Sequence, residues 1–368
     1  MPRNTDRSWT QLFMVGIALL LLVSLFSSTS LTSAKLLPGY VPVWVNMNPA
    51  TSPGFRHTMP LSYDSTEDRV ILFGGWSGQN GAYNDTWAYN FNTNTWTNRS
   101  PTIAPQERTG HGLAYDNESD RTILFSGWRS GSHGTIVNWV DTWVYDYSAN
   151  TWTNMSPVVT PTGRLAHFMA YDSESDRVIL FGGLLDGAIY NDETWAYDYN
   201  SNNWTQMSPS QHPSARMDAP MTYDSESDRV ILHGGSSSAG VRYDTWAYDY
   251  NTDTWEQTTL QGPTAGGQLT YDSASDLVVY YGGTLDFGET MLVSETWTYD
   301  FNNNTWTQML PLSSPPARSR PYIAYDSESD VIILYGGLIA GPQEPGFEDT
   351  WAYFYTLPPP PIWLYILA

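Results

Sequence analysis

The stretch Tyr171-Asp172-Ser173-Glu174-Ser175-Asp176-Arg177-Val178-Ile179-Leu180-Phe181-Gly182-Gly183, followed by Glu193-Thr194-Trp195-Ala196-Tyr197-Asp198 and then Trp204, decides how this chain is built. The run Val178-Ile179-Leu180-Phe181, ending on a glycine pair, reads as a short strand buried on both faces. The acidic stretch before it reads as a tight turn, and so does Asn92-Thr93-Asn94-Thr95 between the two tryptophans of an earlier copy. Each copy therefore predicts four short antiparallel strands, A to D, with tight hairpins between A and B and between C and D.

The sentence is written six times. Its leading tyrosines are Tyr63, Tyr115, Tyr171, Tyr223, Tyr271 and Tyr325, and 11 residues after each stands Gly74, Ser126, Gly182, Gly234, Gly282 or Gly336, serine being the one departure. An acid-Thr-Trp triplet follows, at Trp87, Trp143, Trp195, Trp246, Trp297 and Trp351. Nine residues beyond the first five of these comes a second tryptophan, at Trp96, Trp152, Trp204, Trp255 and Trp306. Four-stranded units at a period of roughly 50 residues, arranged radially, make a β-propeller.

The sixth copy has Pro360 where its second tryptophan belongs, so its outer strand is missing. Upstream of the first copy, Trp44-Val45-Asn46-Met47-Asn48-Pro49 matches Trp152-Thr153-Asn154-Met155-Ser156-Pro157. Trp44 also precedes Tyr63 by 19 residues, the spacing found after Trp96, Trp152, Trp204 and Trp306. The expectation is an all-β, closed six-bladed propeller over 35–357, its last blade completed by the N-terminal strand around Trp44. Closure of this kind removes most exposed strand edges.

The double glycine, the pair Tyr197-Asp198 and Trp204, led in by Pro161 and Arg164, resemble the kelch-repeat family over about residues 44–355. The resemblance implies a propeller that serves as an interaction module, a minority of kelch propellers being enzymes. The copper oxidases on this fold need a cysteine crosslinked to tyrosine, and this chain has no cysteine.

Composition narrows the function classes. Asp and Glu outnumber Lys and Arg by 38 to 16, a formal net charge of −22. That balance argues against nucleic acid, whose binding needs a basic footprint, and against docking on anionic lipid. Without cysteine there is no disulfide, thiolate metal site or cysteine nucleophile. Residues 1–34 read as an export signal: Arg3 and Arg7, the apolar run Leu12 to Phe26, then Thr32-Ser33-Ala34. Cleavage after Ala34 is expected, an uncleaved signal-anchor being the alternative. Residues 358–368 form a Pro-rich linker and a short apolar tail. The expected location is secreted or cell-surface, the propeller monomeric, with membrane contact only through a terminal anchor.

The A–B and C–D spacings are constant, whereas the B–C intervals vary as 9, 13, 9, 8, 11 and 11 residues. Variation is thus gathered on one face, where loops on a rigid scaffold carry recognition. Trp76, Trp128 and Trp139 fall in the B–C loops of blades 1 and 2, with Tyr83, Tyr190, Tyr243, Phe287 and Phe347 in comparable loops. Such rings either stack on a sugar or peptide or fold over their own loops. Arg56, Arg108, Arg164, Arg216 and Arg318 share one site seven residues before each tyrosine, replaced by Thr264 in blade 5. Placed at the start of strand A, they would ring the channel mouth and clamp a carboxylate. The competing reading pairs them with Asp85, Asp141, Glu193, Asp244 and Asp349 as structural bridges.

The Asp172–Asp176 turn lacks the central glycine and terminal glutamate of a calcium loop. His111 and His167 are equivalent but have no third ligand in pattern. No metal, cofactor or catalytic residue is assigned. The function expected is an extracellular protein- or glycan-binding scaffold module using the B–C face. The alternative is a sialidase- or epimerase-like enzyme using the arginine ring.

Overall fold

The computed structural model describes residues 41–78, 81–130, 136–286, 288–339 and 346–356. The chain divides between Lys35 and Leu36, and every described residue belongs to the second unit. The signal segment 1–34, the tail 358–368, His133 and Phe287 lie outside the described residues.

The principal sheets are six antiparallel four-stranded blades. Blade 3 shows the plan: Phe168–Asp172 (A), Arg177–Phe181 (B), Thr194–Asp198 (C) and Asn203–Gln206 (D) lie side by side in that order. The register sets Tyr171 opposite Val178, Leu180 opposite Trp195 and Tyr197 opposite Trp204. Val178, Ile179, Leu180 and Phe181 are all buried, as a strand covered on both faces requires.

The acidic A–B turn holds itself together. Asp172 Oδ1 accepts the N–H groups of Glu174 and Ser175, an Asx turn. Asp176 closes the hairpin at φ 54°, and its Oδ1 accepts the Tyr171 hydroxyl at 3.0 Å. Two of the three carboxylates that invited comparison with a calcium loop, Asp172 and Asp176, are engaged in making the turn.

Blade 6 closes as the repeat spacing predicts. Val41–Asn46 pairs antiparallel with Thr350–Thr356, placing Trp44 opposite Tyr353, outside Val331–Tyr335 and Tyr322–Asp326. The core is radial. Six buried clusters fill the six clefts between neighbouring blades, such as Phe125 and Ile123 of blade 2 against Leu180 and Trp204 of blade 3.

A bond between side chains crosses every cleft. Each outer-strand tryptophan donates its indole N–H to the threonine opening strand C of the preceding blade, at 2.9–3.0 Å: Trp96 to Thr350, Trp152 to Thr86, Trp204 to Thr142, Trp255 to Thr194, Trp306 to Thr245 and, across the closure, Trp44 to Thr296. The other six repeat tryptophans bond inside their own blades, as Trp195 does to Glu193 and Trp246 to Asp244. All twelve belong to the scaffold.

The glycine pair is fixed by close approach. Gly182 stands at φ 69°, and a Cβ there would meet the Arg216 carbonyl at 2.6 Å. That carbonyl accepts the Gly183 N–H at 2.9 Å, binding blade 3 to the segment that leads into blade 4. Ser126 tolerates the same backbone (φ 59°) because its hydroxyl makes the approach a hydrogen-bond site: Oγ donates to the Trp139 carbonyl at 2.7 Å and accepts the Arg164 N–H at 2.8 Å.

Candidate functional site on the B–C face

The described residues of the B–C loops form local backbone pairings. Three carry small hairpins, Trp128–Ser130 with Ile136–Asn138, Leu184–Leu185 with Ile189–Tyr190, and Ser236–Ser237 with Gly240–Val241. Every loop is pinned at its root by a bridge between the residue after the glycine pair and the residue after the arginine site. His57 faces Trp76, Thr109 faces Trp128, Leu165 faces Leu184, Met217 faces Ser236, Ala265 faces Thr284 and Ser319 faces Leu338. All six join residues 19 apart, one bridge per repeat.

Trp76 and Trp128 therefore sit on fixed main chain. Each exchanges two backbone hydrogen bonds with its bridge partner at 2.9–3.0 Å. Their rings stack across the boundary of blades 1 and 2, centroids 5.6 Å apart and 19° from parallel, and both are half-buried. Phe55 extends the aromatic surface, its ring 5.9 Å from that of His57.

Trp139 and Tyr83 do something else. The Arg56 guanidinium lies 4.3 Å from the Tyr83 ring centre, that of Arg108 5.4 Å from Trp139, and that of Arg318 3.8 Å from Phe347. These rings lid the arginines, while the exposed face of Trp139 also meets Arg129, paired with Glu107. Tyr190 and Tyr243 belong to blades 3 and 4, are half-buried, and share no ring contact with the stack among the described residues.

The arginines follow the structural-bridge reading and not the carboxylate-clamping one. They stand four or five residues ahead of strand A and are 0–1 % exposed. Arg216 is representative: it bonds both Asp244 oxygens at 2.7 and 3.0 Å, the Gly234 carbonyl at 2.9 Å and the Ser214 carbonyl at 2.9 Å. Arg56, Arg108 and Arg318 likewise bond both carboxylate oxygens of Asp85, Asp141 and Asp349, whereas Arg164 bonds one Glu193 oxygen at 2.7 Å and the Asn191 side-chain oxygen at 3.0 Å. The guanidiniums tie each strand-C acid to the neighbouring glycine carbonyl and do not reach solvent. In blade 5, Thr264 Oγ1 serves the corresponding Gly282 carbonyl at 2.9 Å.

One ring of residues escaped the sequence reading. Two positions after the arginine site stand Thr58, Gly110, Ala166, Asp218, Gly266 and Arg320, all with positive φ. Amides of this ring bond carbonyls of the preceding blade, Gly110 to Thr58, Ala166 to Gly110, Asp218 to Ala166 and Arg320 to Gly266, at 2.8–2.9 Å. The belt is small and neutral except at Asp218 and Arg320. Arg320 Nη2 lies 3.6 Å from Asp218 and 2.8 Å from Glu289, a residue of the blade 5 loop that also accepts the Ser319 hydroxyl. Burial pushes the Asp218 carboxyl up against the opposing pull of Arg320. The same burial, with Arg320 beside it, lowers His57 to about 4. His57 is thus neutral near pH 7, its Nδ1 2.7 Å from Thr58 Oγ1. A charged residue where the other copies carry small or neutral ones was the available signal.

Among the described residues the face offers a fixed aromatic platform beside the Asp218–Arg320–Glu289 charged cluster. The family described as the KLHDC2/KLHL20/DRC7 Kelch-repeats domain matches residues 140–337, and the Kelch motif matches residues 63–102. The chain is 25 % identical over 195 residues to Mei4-dependent protein 6 of Schizosaccharomyces pombe, covering 48 % of this chain and 28 % of that protein. It is 28 % identical over 224 residues to the flagellar outer arm dynein alpha chain of Chlamydomonas reinhardtii, covering 55 % and 5 %. It is 26 % identical over 178 residues to Adagio-like protein 1 of Oryza sativa subsp. japonica, covering 47 % and 27 %. The chain thus spans under a third of the length of each of these relatives.

Proposed function

The chain belongs to the kelch-repeat family, whose propellers generally bind proteins, and on that premise we propose that it is an exported binding or scaffold module whose ligand docks on the B–C face. The observation that carries the reading is the Trp76–Trp128 stack. Two large half-buried rings are held by main-chain bridges before any ligand arrives, so little freedom is lost on binding. Tryptophan at the centre of a docking face is the residue type most enriched among those that dominate interface energies. The −22 charge favours a partner surface that is neutral or basic.

Export rests on the sequence of residues 1–34, and a glycan ligand would use the same stacked rings. The carboxylate-clamping enzyme reading is not favoured, because the five guanidiniums are bonded within the repeats. The test is capture of ligands from an extracellular fraction and from a glycan array by the wild-type chain and by the W76A/W128A double variant. Loss of a captured protein or sugar in the variant, at an unchanged melting temperature, supports the reading. Equal capture by both proteins refutes it.

A further inference from the structure

The opposite end of the channel holds a second candidate site. Between the inner strands, opening toward the A–B turns, lies a cavity of about 310 Å³. That is at the lower end of the ~300–1,000 Å³ typical of small-ligand pockets. Acidic turns surround its mouth, yet among the described residues no charged side chain lines it. Its deep end is apolar, with Met169, Met221 and Leu269 among the residues there. Its rim carries the exposed hydroxyls of Ser65, Ser173, Ser273 and Ser327 and the exposed Asn117 amide, and none of these side chains bonds another described residue.

Much of the wall is main chain. Strand A ends the strand order of each blade and pairs with B alone, so the N–H and C=O groups of its other edge face the channel. The Tyr271 amide is one of them, and it donates to Thr222 Oγ1 of blade 4 at 3.0 Å. Blades 2, 3 and 6 have Ala114, Ala170 and Ala324 at the Thr222 position, which offer the amides of Tyr171, Tyr223 and Tyr63 no oxygen. Blade 5 repeats the threonine. Thr270 lines the cavity half-buried, and its hydroxyl has no hydrogen-bond partner among the described residues. The well is therefore sided, with hydroxyls on blades 4 and 5 and alanine methyls on blades 2 and 3.

We propose that this end of the channel binds an uncharged hexose ring, its hydroxyl edge toward Thr222, Thr270 and the main-chain groups and its C–H face toward Ala114 and Ala170. A hydroxyl donates and accepts at once, so a polyol matches an edge that carries both N–H and C=O. A carboxylate only accepts and would enter against the acidic turns. An ammonium only donates and finds no carboxylate on the wall. The inference is independent of the B–C face, since no residue is shared.

The test uses the full chain with the methyl β-glycosides of glucose, galactose and mannose as probes, followed by ligand-observed NMR. Two controls accompany them: glucuronate has the ring with a carboxylate, and cyclohexanol has a ring stripped of all but one hydroxyl. Saturable binding of at least one glycoside at a Kd of about 1 mM is expected, with no competition from the controls at equal concentration. Thr270→Val keeps the side-chain shape and breaks no bond within the protein, and it should weaken binding about fivefold. Asn117→Ala, at the exposed rim, should weaken it about threefold. The W76A/W128A variant should bind the glycoside as the wild type does. No saturable binding of any glycoside, equal binding of either control, or indifference to both single substitutions would overturn the proposal. So would loss of binding in W76A/W128A, which would put the sugar on the B–C face.

Discussion

Replacing Arg216 by Ala would break one buried ion pair and leave its partners in place. The substitution removes two bonds to Asp244, one to the Gly234 carbonyl and two to Ser214, at its carbonyl and its hydroxyl. Breaking a buried pair by deleting one partner typically costs 3–5 kcal/mol, chiefly because the surviving charge is stranded. Asp244 keeps the Trp246 indole N–H at 2.8 Å, and its side chain is 15 % exposed, so water can partly replace the arginine. The expected loss is therefore at the low end, about 3 kcal/mol. In a chain of this size that corresponds to a melting temperature lower by about 4 °C. Equilibrium urea unfolding and calorimetry on both proteins would measure it. The pH dependence adds a second check. Burial acts to raise Asp244, but the bonds from Arg216 and Trp246 outweigh it and hold the carboxyl below its ordinary value. A depressed carboxylate stabilises the fold above the unfolded value of ~3.9 and stops doing so as pH falls through the lower folded value. The gap between the two proteins should be flat from pH 8 to 5 and shrink below about pH 4. A loss under ~1 kcal/mol at pH 7 would show that the buried pair behaves as a surface one, refuting the reasoning.

Ser126→Ala should cost about 2 kcal/mol, since the buried Arg164 N–H loses its acceptor. Ser126→Gly should cost less, because in the glycine blades the corresponding N–H bonds a loop carbonyl directly, as Arg216 does to Asn191; denaturation of both variants decides the order. His233, lowered to about 4 by burial, lies below its unfolded value, so the wild type loses stability as pH drops from ~6.5 toward 4. His233→Phe, copying Phe73, Phe125 and Phe181, should flatten that slope by up to ~1.4 kcal/mol per pH unit, read from melts across the range. Trp44→Ala should cost about 3–5 kcal/mol through lost packing on Tyr281 and Tyr353 and the lost bond to Thr296. Limited proteolysis should then cut first near the closing strand.

The blade count and the closure were legible because each repeat residue does the same job six times. Tyr171 and Asp176 lock a turn, Gly182 admits a carbonyl, and Trp204 crosses a cleft to Thr142. The candidate site was half legible. Trp76 and Trp128 could be placed in neighbouring loops, but their contact depends on the His57 and Thr109 bridges, whose 19-residue spacing recurs in every repeat without saying that these backbones pair. The arginines were found as a set with two readings, a carboxylate-clamping ring and structural bridges, and the bridges are what the structure shows. Charge alone does not tell a solvent-facing ring from an internal one, but the acids opening strand C were legible as partners, and the structure pairs the arginines with them. Asp218 and Arg320 went unread because attention to what repeats passes over what does not.

The strand Val41–Asn46 has its partner, Thr350–Thr356, at the far end of the chain. At translation rates of ~5–20 residues per second, the first strand made waits roughly 15–60 s for its neighbour. Throughout that interval blades 1 to 5 can assemble, but the ring stays open and Thr296 lacks its indole. Completion is therefore a late, single event, and a nascent chain stalled before residue 350 would have the protein's binding loops without its cooperativity. The same pairing sets Val41 beside Thr356, so anything fused at either end would leave from adjacent strands on one outer edge. A tether pulled from both termini would load that one seam first, unzipping blade 6 before straining any other.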